Sequence, residues 1–383
     1  MSEVRFTVEA ALAAATQETG LSDFGDDGFR EGLRVLLETY DQSAGLSEKG
    51  RHMNWKRVVD LLGTRLRVER ALALHPEIRE REIERPLFLT GLPRTGTSAL
   101  FNLLGRDPAS RPLYLWEGLA PDPIEGLAPG EPDPRYVEMK ATYERMRETS
   151  PDFTKIHFAD ADAPEECVLP LAATFQHVHN GIEVLMEPYR SWFQALDLHG
   201  PYAWYRDVLK MLDWQRPGER WLLKSPAHLW ALDVLVELFP DCCIILTHRN
   251  PLEVIASYCS MMEMLFRLRE CAPQPDLGPT VLEYLARSLE RGLASRDQEP
   301  DRFIDVRFDD FAADNMAVID RIYAHFDLPF PDETRAILHA HARDNPRGKH
   351  GAHQYDLEKF GLTNDRVKSR LAAYIERFDL PTD

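Results

Sequence analysis

The sequence has few cysteines and no long apolar run, and both absences limit where the protein works. Its 383 residues include five cysteines, without the C-x-x-C pairs of many zinc sites and without a disulfide framework. No segment reaches the ~18 consecutive apolar residues of a membrane helix. The N-terminal segment MSEVRFTVEAALAAATQETG lacks the basic start of a secretory signal. We therefore expect no membrane span and a reducing, cytoplasmic setting.

Positive charge is also scarce. Lys and Arg together number 45 against 63 Asp and Glu, for a formal net charge of −18. Such an acidic chain is a poor partner for nucleic acid or for polyanionic acceptors, so an anionic ligand requires a local basic pocket. The 44% hydrophobic and 28% charged residues are typical of a globular protein with a large core. The sequence does not fix the oligomeric state, and a homo-oligomer is compatible with it.

The segment 86–105, PLFLTGLPRTGTSALFNLLG, carries the clearest chemistry. An apolar run at 87–90 predicts a strand, glycines predict a turn, and leucines at helical spacing predict a helix from Thr97. A strand, turn and helix N-terminus in this order direct backbone N–H groups at one point, which suits a phosphate. Arg94 adds a cation and Ser98 a hydroxyl. A structural turn is the alternative, and these polar residues favour phosphate binding over it.

One residue is missing from that segment. Gly91 and Gly96 have the spacing of the P-loop pattern G-x-x-x-x-G-K-[ST], but Thr97 stands where that pattern has lysine. A nucleoside triphosphatase without this lysine loses its main contact with the β- and γ-phosphates. A P-loop-type small-molecule kinase is therefore a weaker alternative. A non-catalytic nucleotide-binding protein is a second alternative.

The strand–turn–helix plan recurs further along the chain. Lys224 ends a second apolar strand, Arg249 follows a third, and residues 303–308 predict a fourth that ends at Phe308. Cations at the carboxyl ends of strands in an α/β sheet face the ligand crevice. We predict an α/β fold, a mainly parallel P-loop-like sheet flanked by helices. Residues 1–85 are predicted to form a helical N-terminal layer packed on an α/β domain at 86–383.

Three motifs in order resemble those of one enzyme family. LTGLPRTGTS at 89–98, LLKSPAHL at 222–229 and HRNPLEVIAS at 248–257 resemble the PAPS-dependent sulfotransferases. PAPS is 3′-phosphoadenosine 5′-phosphosulfate, and the likeness is greatest to the bacterial branch with a P-R-[ST]-G-T-[ST] loop. The chain departs from many relatives in having Arg94 in place of Lys and Ala99 in place of a Trp that stacks on adenine.

The resemblance implies roles by position. The loop would hold the 5′-phosphosulfate, Arg249 and Ser257 the 3′-phosphate together with a later basic loop, and Phe308 would lie near the adenine. The implied cofactor contacts are Arg94, Thr95, Gly96, Thr97, Ser98, Arg249, Ser257, Phe308, Arg347, Gly348 and Lys349.

Sulfuryl transfer needs cations at the leaving oxygen and a base at the acceptor hydroxyl. We assign the cations to Arg94 and Lys224 and expect no metal ion. Glu117 is the favoured base, although it could instead cap a helix or form a salt bridge. His157 is the second candidate, and the remaining candidates are Glu165 and Glu166.

The predicted function is transfer of a sulfuryl group from PAPS to a hydroxyl of a small or lipid-like acceptor. Aromatic residues are frequent between 150 and 205. Together with the acidic composition, they favour an apolar acceptor over a polyanion.

Overall fold

The computed structural model describes residues 5–127, 131–149, 161–176, 182–344 and 356–382. One sheet lies at its centre. The strands are β1 (Leu87–Gly91), β2 (Ser110–Pro112), β3 (Arg220–Lys224), β4 (Cys243–His248) and β5 (Phe303–Arg307). All the pairings between them are parallel, and their spatial order is β2-β3-β1-β4-β5. The prediction of an α/β fold with a mainly parallel sheet is confirmed.

Both faces of the sheet are covered, which explains why the central strands β1, β3 and β4 are mostly apolar. Leu87 and Leu89 of β1 pack into one apolar cluster, whereas Phe88 between them packs into another. Neighbouring strands divide in the same way, since Leu222 joins the first cluster and Leu223 the second. Helices supply the rest of each cluster.

The helices precede, connect and follow the strands. They are α1 (Val8–Thr19), α2 (Phe29–Gln42), α3 (Glu48–Leu74), α4 (Thr97–Leu104), α5 (Leu115–Leu119), α6 (Pro134–Thr149), α7 (Val168–Leu171), α8 (Tyr189–Gln194), α9 (His199–Gln215), α10 (Leu232–Leu238), α11 (Pro251–Leu268), α12 (Leu277–Gln298), α13 (Phe308–Ala313), α14 (Asn315–His325), α15 (Asp332–Asp344), α16 (Asn364–Arg370) and α17 (Ala372–Phe378). No helix in these ranges is long and apolar enough to cross a membrane.

The first three helices pack against the rest of the chain. Leu33 of α2 and Leu62 of α3 are fully buried in the same cluster as Phe88 of the central strand. The N-terminal segment thus shares its apolar core with the sheet. The boundary between residues 85 and 86 stays a prediction, because a shared core does not mark a division.

The structure differs from the sequence prediction at two places. The proline-rich stretch after α4, for which the sequence predicts no strand or helix, contains the edge strand β2 and the short helix α5. Three residues that pair with only one neighbouring strand give little periodic signal. The last strand was expected to include Phe308, which instead begins α13 directly after Arg307.

Candidate active site

The carboxyl ends of three neighbouring strands bring the predicted site residues together. Leu89 pairs with Lys224 and Gly91 with Thr247, so the loop after β1 lies between the ends of β3 and β4. His248 pairs with Arg307, which places the start of α13 beside Arg249. This edge of an open α/β sheet is where such folds bind ligands.

The loop between β1 and α4 takes a backbone shape that needs glycine. Gly91 and Gly96 have φ values of 144° and 87°, and an added Cβ at Gly91 would lie 2.3 Å from the Thr247 hydroxyl. At Gly96 it would lie 2.7 Å from the ring of Phe308. Gly96 caps α4 without a side-chain hydrogen bond, so no capping side chain blocks the first-turn N–H groups. This is the geometry of an anion site at a helix N-terminus.

Lys224 reaches that helix N-terminus from β3. Its side chain is buried, and Nζ donates to Ser98 Oγ at 3.2 Å and to Glu166 Oε1 at 2.7 Å. Glu166 is held there because the backbone N–H of Cys167 donates to the Lys224 carbonyl at 3.0 Å. The Glu166 side chain keeps 31% of its surface exposed. The ammonium group of Lys224 thus connects a hydroxyl and an accessible carboxylate at the edge of the sheet.

A second polar group lies on the β4 side of the loop. Arg94 Nε donates to Ser257 Oγ at 3.0 Å, and Arg249 Nη1 donates to the Arg94 carbonyl at 2.9 Å. The Arg249 guanidinium also pairs with Glu253 and lies 4.2 Å from the centre of the Phe308 ring. The predicted residues of this group are therefore adjacent, and their roles toward a ligand stay predictions.

Two threonines of the predicted loop contribute from below the surface. Thr95 is 1% exposed, and its hydroxyl bonds to the Leu92 carbonyl and to the Thr247 hydroxyl, each at 2.6 Å. The Thr95 hydroxyl therefore fastens the loop to β4, and the role of Thr95 toward a phosphate stays a prediction. Thr97 is also buried. Thr247 was not among the predicted site residues, since its role depends on a pairing between distant strands.

Glu117 is engaged elsewhere, and its contacts do not support the assignment as general base. Its carboxylate accepts from Arg111 at 2.7 and 2.8 Å and from Arg216 at 2.9 and 3.1 Å. It also accepts from the Tyr114 backbone N–H at 3.1 Å, which completes a capping box on α5. The residue is 2% exposed. The alternative that the sequence left open, a capping and salt-bridged glutamate, describes these contacts.

Several predicted residues lie outside the described ranges. His157 belongs to this group, as do the later basic residues Arg347, Gly348 and Lys349. Their assignments stay predictions. In the part of the chain that the structure describes, no group of three or more His, Cys, Asp or Glu side chains could hold a metal ion.

The fold and the motifs point to one class of enzyme, and comparison with known proteins identifies the family. The model of the Sulfotransferase family matches residues 86–332. The chain therefore belongs to the sulfotransferase family and is a transferase of sulfuryl groups, and the kinase alternative is set aside. The predicted membership of the sulfotransferase family is confirmed.

Several of the similar proteins are mycobacterial. The crystal structure of sulfotransferase STF1 from Mycobacterium tuberculosis H37Rv superposes with a TM-score of 0.80 at 33% identity, over 96% of this chain and 98% of that one. The crystal structure of sulfotransferase STF9 from Mycobacterium avium superposes with a TM-score of 0.88 at 27% identity, over 100% of this chain and 99% of that one. Omega-hydroxy-beta-dihydromenaquinone-9 sulfotransferase Stf3 of Mycobacterium bovis and Mycobacterium tuberculosis is 25% identical over 296 residues, 73% of this chain and 72% of that protein.

Proposed function

We propose that this sulfotransferase moves the sulfuryl group of PAPS to a hydroxyl of a lipid-like acceptor, with Glu166 as the general base. The observation that carries the proposal is the pair of hydrogen bonds from Lys224 to Ser98 and to Glu166 at the N-terminus of α4. They put a hydroxyl and an accessible carboxylate each within hydrogen-bonding distance of one cation. Such a set can serve the leaving group and the acceptor of one displacement reaction.

The described residues fit a donor that carries phosphate at both ends of a nucleoside. The uncapped start of α4, with Ser98 and Lys224, supplies N–H, O–H and N⁺–H donors for the 5′-phosphosulfate. Arg249 and Ser257 supply a guanidinium and a hydroxyl on the β4 side for the 3′-phosphate. Arg94, in the loop that leads into α4, contacts this second group, since its side chain donates to Ser257 and its carbonyl accepts from Arg249.

Within that arrangement, the reaction is an in-line displacement at sulfur. The acceptor oxygen forms a bond to sulfur while the bond from sulfur to the phosphate oxygen breaks. The electron pair stays on the phosphate oxygen, where Arg94 and Lys224 stabilise the added charge. The acceptor's proton goes to the Glu166 carboxylate. Two fixed cations make a metal ion unnecessary for this step.

The lipid-like acceptor is supported by a relative and by the charge of the chain. The curated relative described above is named for a menaquinone derivative with an omega-hydroxyl. A net charge of −18 disfavours polyanionic acceptors.

We also propose a reducing, cytoplasmic location. All five cysteines lie in described segments, are buried and form no disulfide, and burial raises the pKa of Cys167 to about 12.

A transfer assay tests the proposal. The protein is incubated with PAPS carrying radiolabelled sulfur and with farnesol, a neutral alcohol with a long apolar chain. We expect labelled farnesyl sulfate and an equal amount of 3′-phosphoadenosine 5′-phosphate (PAP), with the rate unchanged by EDTA. The control variant Lys224→Ala should lose ~10²–10³-fold in kcat. Transfer that requires magnesium, or that Lys224→Ala leaves intact, would contradict the proposed chemistry.

A further inference from the structure

A large cavity lies beside the segment that carries Glu166. Its volume is about 1020 Å³, and its walls are α5, α6, the end of α9 and the loop at 121–127. This is in the range of pockets that enclose small organic ligands. Its lining includes four aromatic side chains, one aliphatic side chain and one guanidinium that carry the argument below, namely Tyr114, Trp116, Tyr136, Trp214, Ile124 and Arg216.

The aromatic rings of the cavity are fixed by their neighbours. Trp116 meets Tyr136 edge to face, with ring centres 6.1 Å apart. The Arg216 guanidinium lies 4.8 Å from the centre of the Tyr114 ring and is itself bound to Glu117. Rigid aromatic walls lose little conformational entropy when an apolar ligand binds. The Arg111–Glu117–Arg216 cluster thus supports one wall of the cavity.

The charges of the cavity disfavour an anionic ligand. Five carboxylates line it, namely Glu117, Glu125, Glu131, Asp133 and Asp162. Glu125 pairs with Arg70, and of the two arginines that line the cavity, Arg216 is paired with Glu117 and Arg135 with Asp133. An anionic ligand would therefore find both lining arginines already engaged by carboxylates.

Exposed apolar residues also lie on the segments that form the cavity. The large hydrophobic residues exposed in the described part of the chain are Leu74, Leu119, Val137, Met264 and Leu268. Three of them lie on or next to segments that supply lining residues: Leu119 ends α5, Val137 follows Tyr136 on α6, and Leu74 immediately precedes His75. Exposed apolar patches mark binding surfaces for apolar partners.

A short segment, residues 162–166, connects the cavity to the edge of the sheet where Ser98 and Lys224 lie, which we call the catalytic edge. Asp162 lines the cavity, and Glu166 follows four residues later. Between them, Pro164 forms a bridge with Tyr114, and the Glu165 N–H donates to the Leu113 carbonyl at 2.8 Å. Four residues span at most ~14 Å even when extended. A ligand in the cavity therefore lies within the length of a lipid chain from the proposed base.

We infer that this cavity binds the neutral, apolar tail of an elongated acceptor whose hydroxyl reaches Glu166. The inference rests on the proposed function and adds the location and length of the acceptor site. A short acceptor would occupy the catalytic edge alone. Tail contacts would then favour long acceptors through binding, and the chemical step would be the same for both.

Two alcohols with the same reactive end separate tail binding from chemistry. Farnesol and its short-chain analogue prenol both present an allylic hydroxyl. In Trp116→Ala and in Ile124→Asp, we expect KM for farnesol to rise at least about tenfold. KM for prenol and Kd for PAP should stay within about twofold of native values. Leu268→Asp, which places the same charge at an exposed apolar position on α11, is the matched control and should change nothing.

A binding measurement accompanies the kinetics. Farnesol is titrated against the intrinsic fluorescence of the native protein, in which Trp116 and Trp214 line the cavity, and against Ile124→Asp, which retains both. We expect saturable quenching in the native protein and at least about tenfold weaker binding in the variant.

The outcomes distinguish the two proposals. If the variants impair farnesol and prenol equally, or neither, or if Ile124→Asp binds farnesol as tightly as the native protein, the tail site is refuted. If the native protein forms PAP with neither alcohol, the proposed function fails for this acceptor class, and the fluorescence titration still decides whether the cavity binds an apolar chain.

Discussion

Two glutamates, Glu117 and Glu166, each lie beside a buried cation and yet differ in almost every other respect. Glu117 is 2% exposed, and both of its oxygens accept hydrogen bonds from arginines. Glu166 has Oε1 on Lys224, while 31% of its side chain remains exposed. The first carboxylate is enclosed by donors, whereas a ligand can approach the second.

This difference in enclosure is the one that we expect between a structural ion pair and the proposed catalytic one. Protonating Glu117 would leave the buried Arg111 without its partner, and a buried unpaired charge is costly. Protonating Glu166 frees Lys224, which still has Ser98 as a neighbour and would face a negatively charged leaving group. A base that must accept a proton during each turnover is better placed in the second setting.

The strongest test of this comparison is Glu166→Gln. The amide keeps the size of the side chain and can still accept from Lys224, but it cannot take the acceptor's proton. We expect kcat to fall ~10²–10⁴-fold, the usual contribution of a general base, with the melting temperature and Kd for PAP close to native. Glu165→Gln, one residue earlier, is the control and should keep near-native kcat. A Glu166→Gln enzyme with native turnover would return the base to His157 or another residue.

The opposite pattern is expected for Glu117→Gln. Removing the charge leaves the buried Arg111 with a neutral partner, and breaking a buried ion pair costs ~3–5 kcal/mol of folding free energy. Urea denaturation should show this loss, while kcat per folded molecule with prenol remains near native. Glu290→Gln, whose carboxylate pairs with Arg370 at the surface and is 61% exposed, should change stability little. Native stability combined with lost turnover would reverse the two assignments.

These contrasts also explain what the sequence could predict. Arg94, Lys224 and Arg249 each lie at or just after the carboxyl end of an apolar strand, so their meeting at one sheet edge follows from parallel topology. Glu166 precedes β3 by more than fifty residues and reaches Lys224 through the backbone hydrogen bond of Cys167. No local pattern encodes that bond. Glu117 is the base that the sequence favours, but Arg216, which helps to enclose it, follows the end of α9 almost a hundred residues later.

Two arginines can be compared in the same way, one in a structural cluster and one at the proposed 3′-phosphate site. Of the variants proposed here, Arg249→Ala should have the smallest effect. Arg216 and Arg249 are both partly exposed and paired with a glutamate, at 46% and 26% side-chain exposure. Only Arg249 lies next to Arg94 and Ser257 at the catalytic edge. Losing a charged hydrogen bond costs ~1.5–3 kcal/mol. Arg249→Ala should therefore reduce the preference for PAP over adenosine 5′-monophosphate, which lacks the 3′-phosphate, about tenfold to a hundredfold in calorimetry. Arg216→Ala should leave that preference intact, because its guanidinium serves Glu117 and the cavity wall. If both variants alter the preference equally, the proposed 3′-phosphate site at Arg249 is wrong.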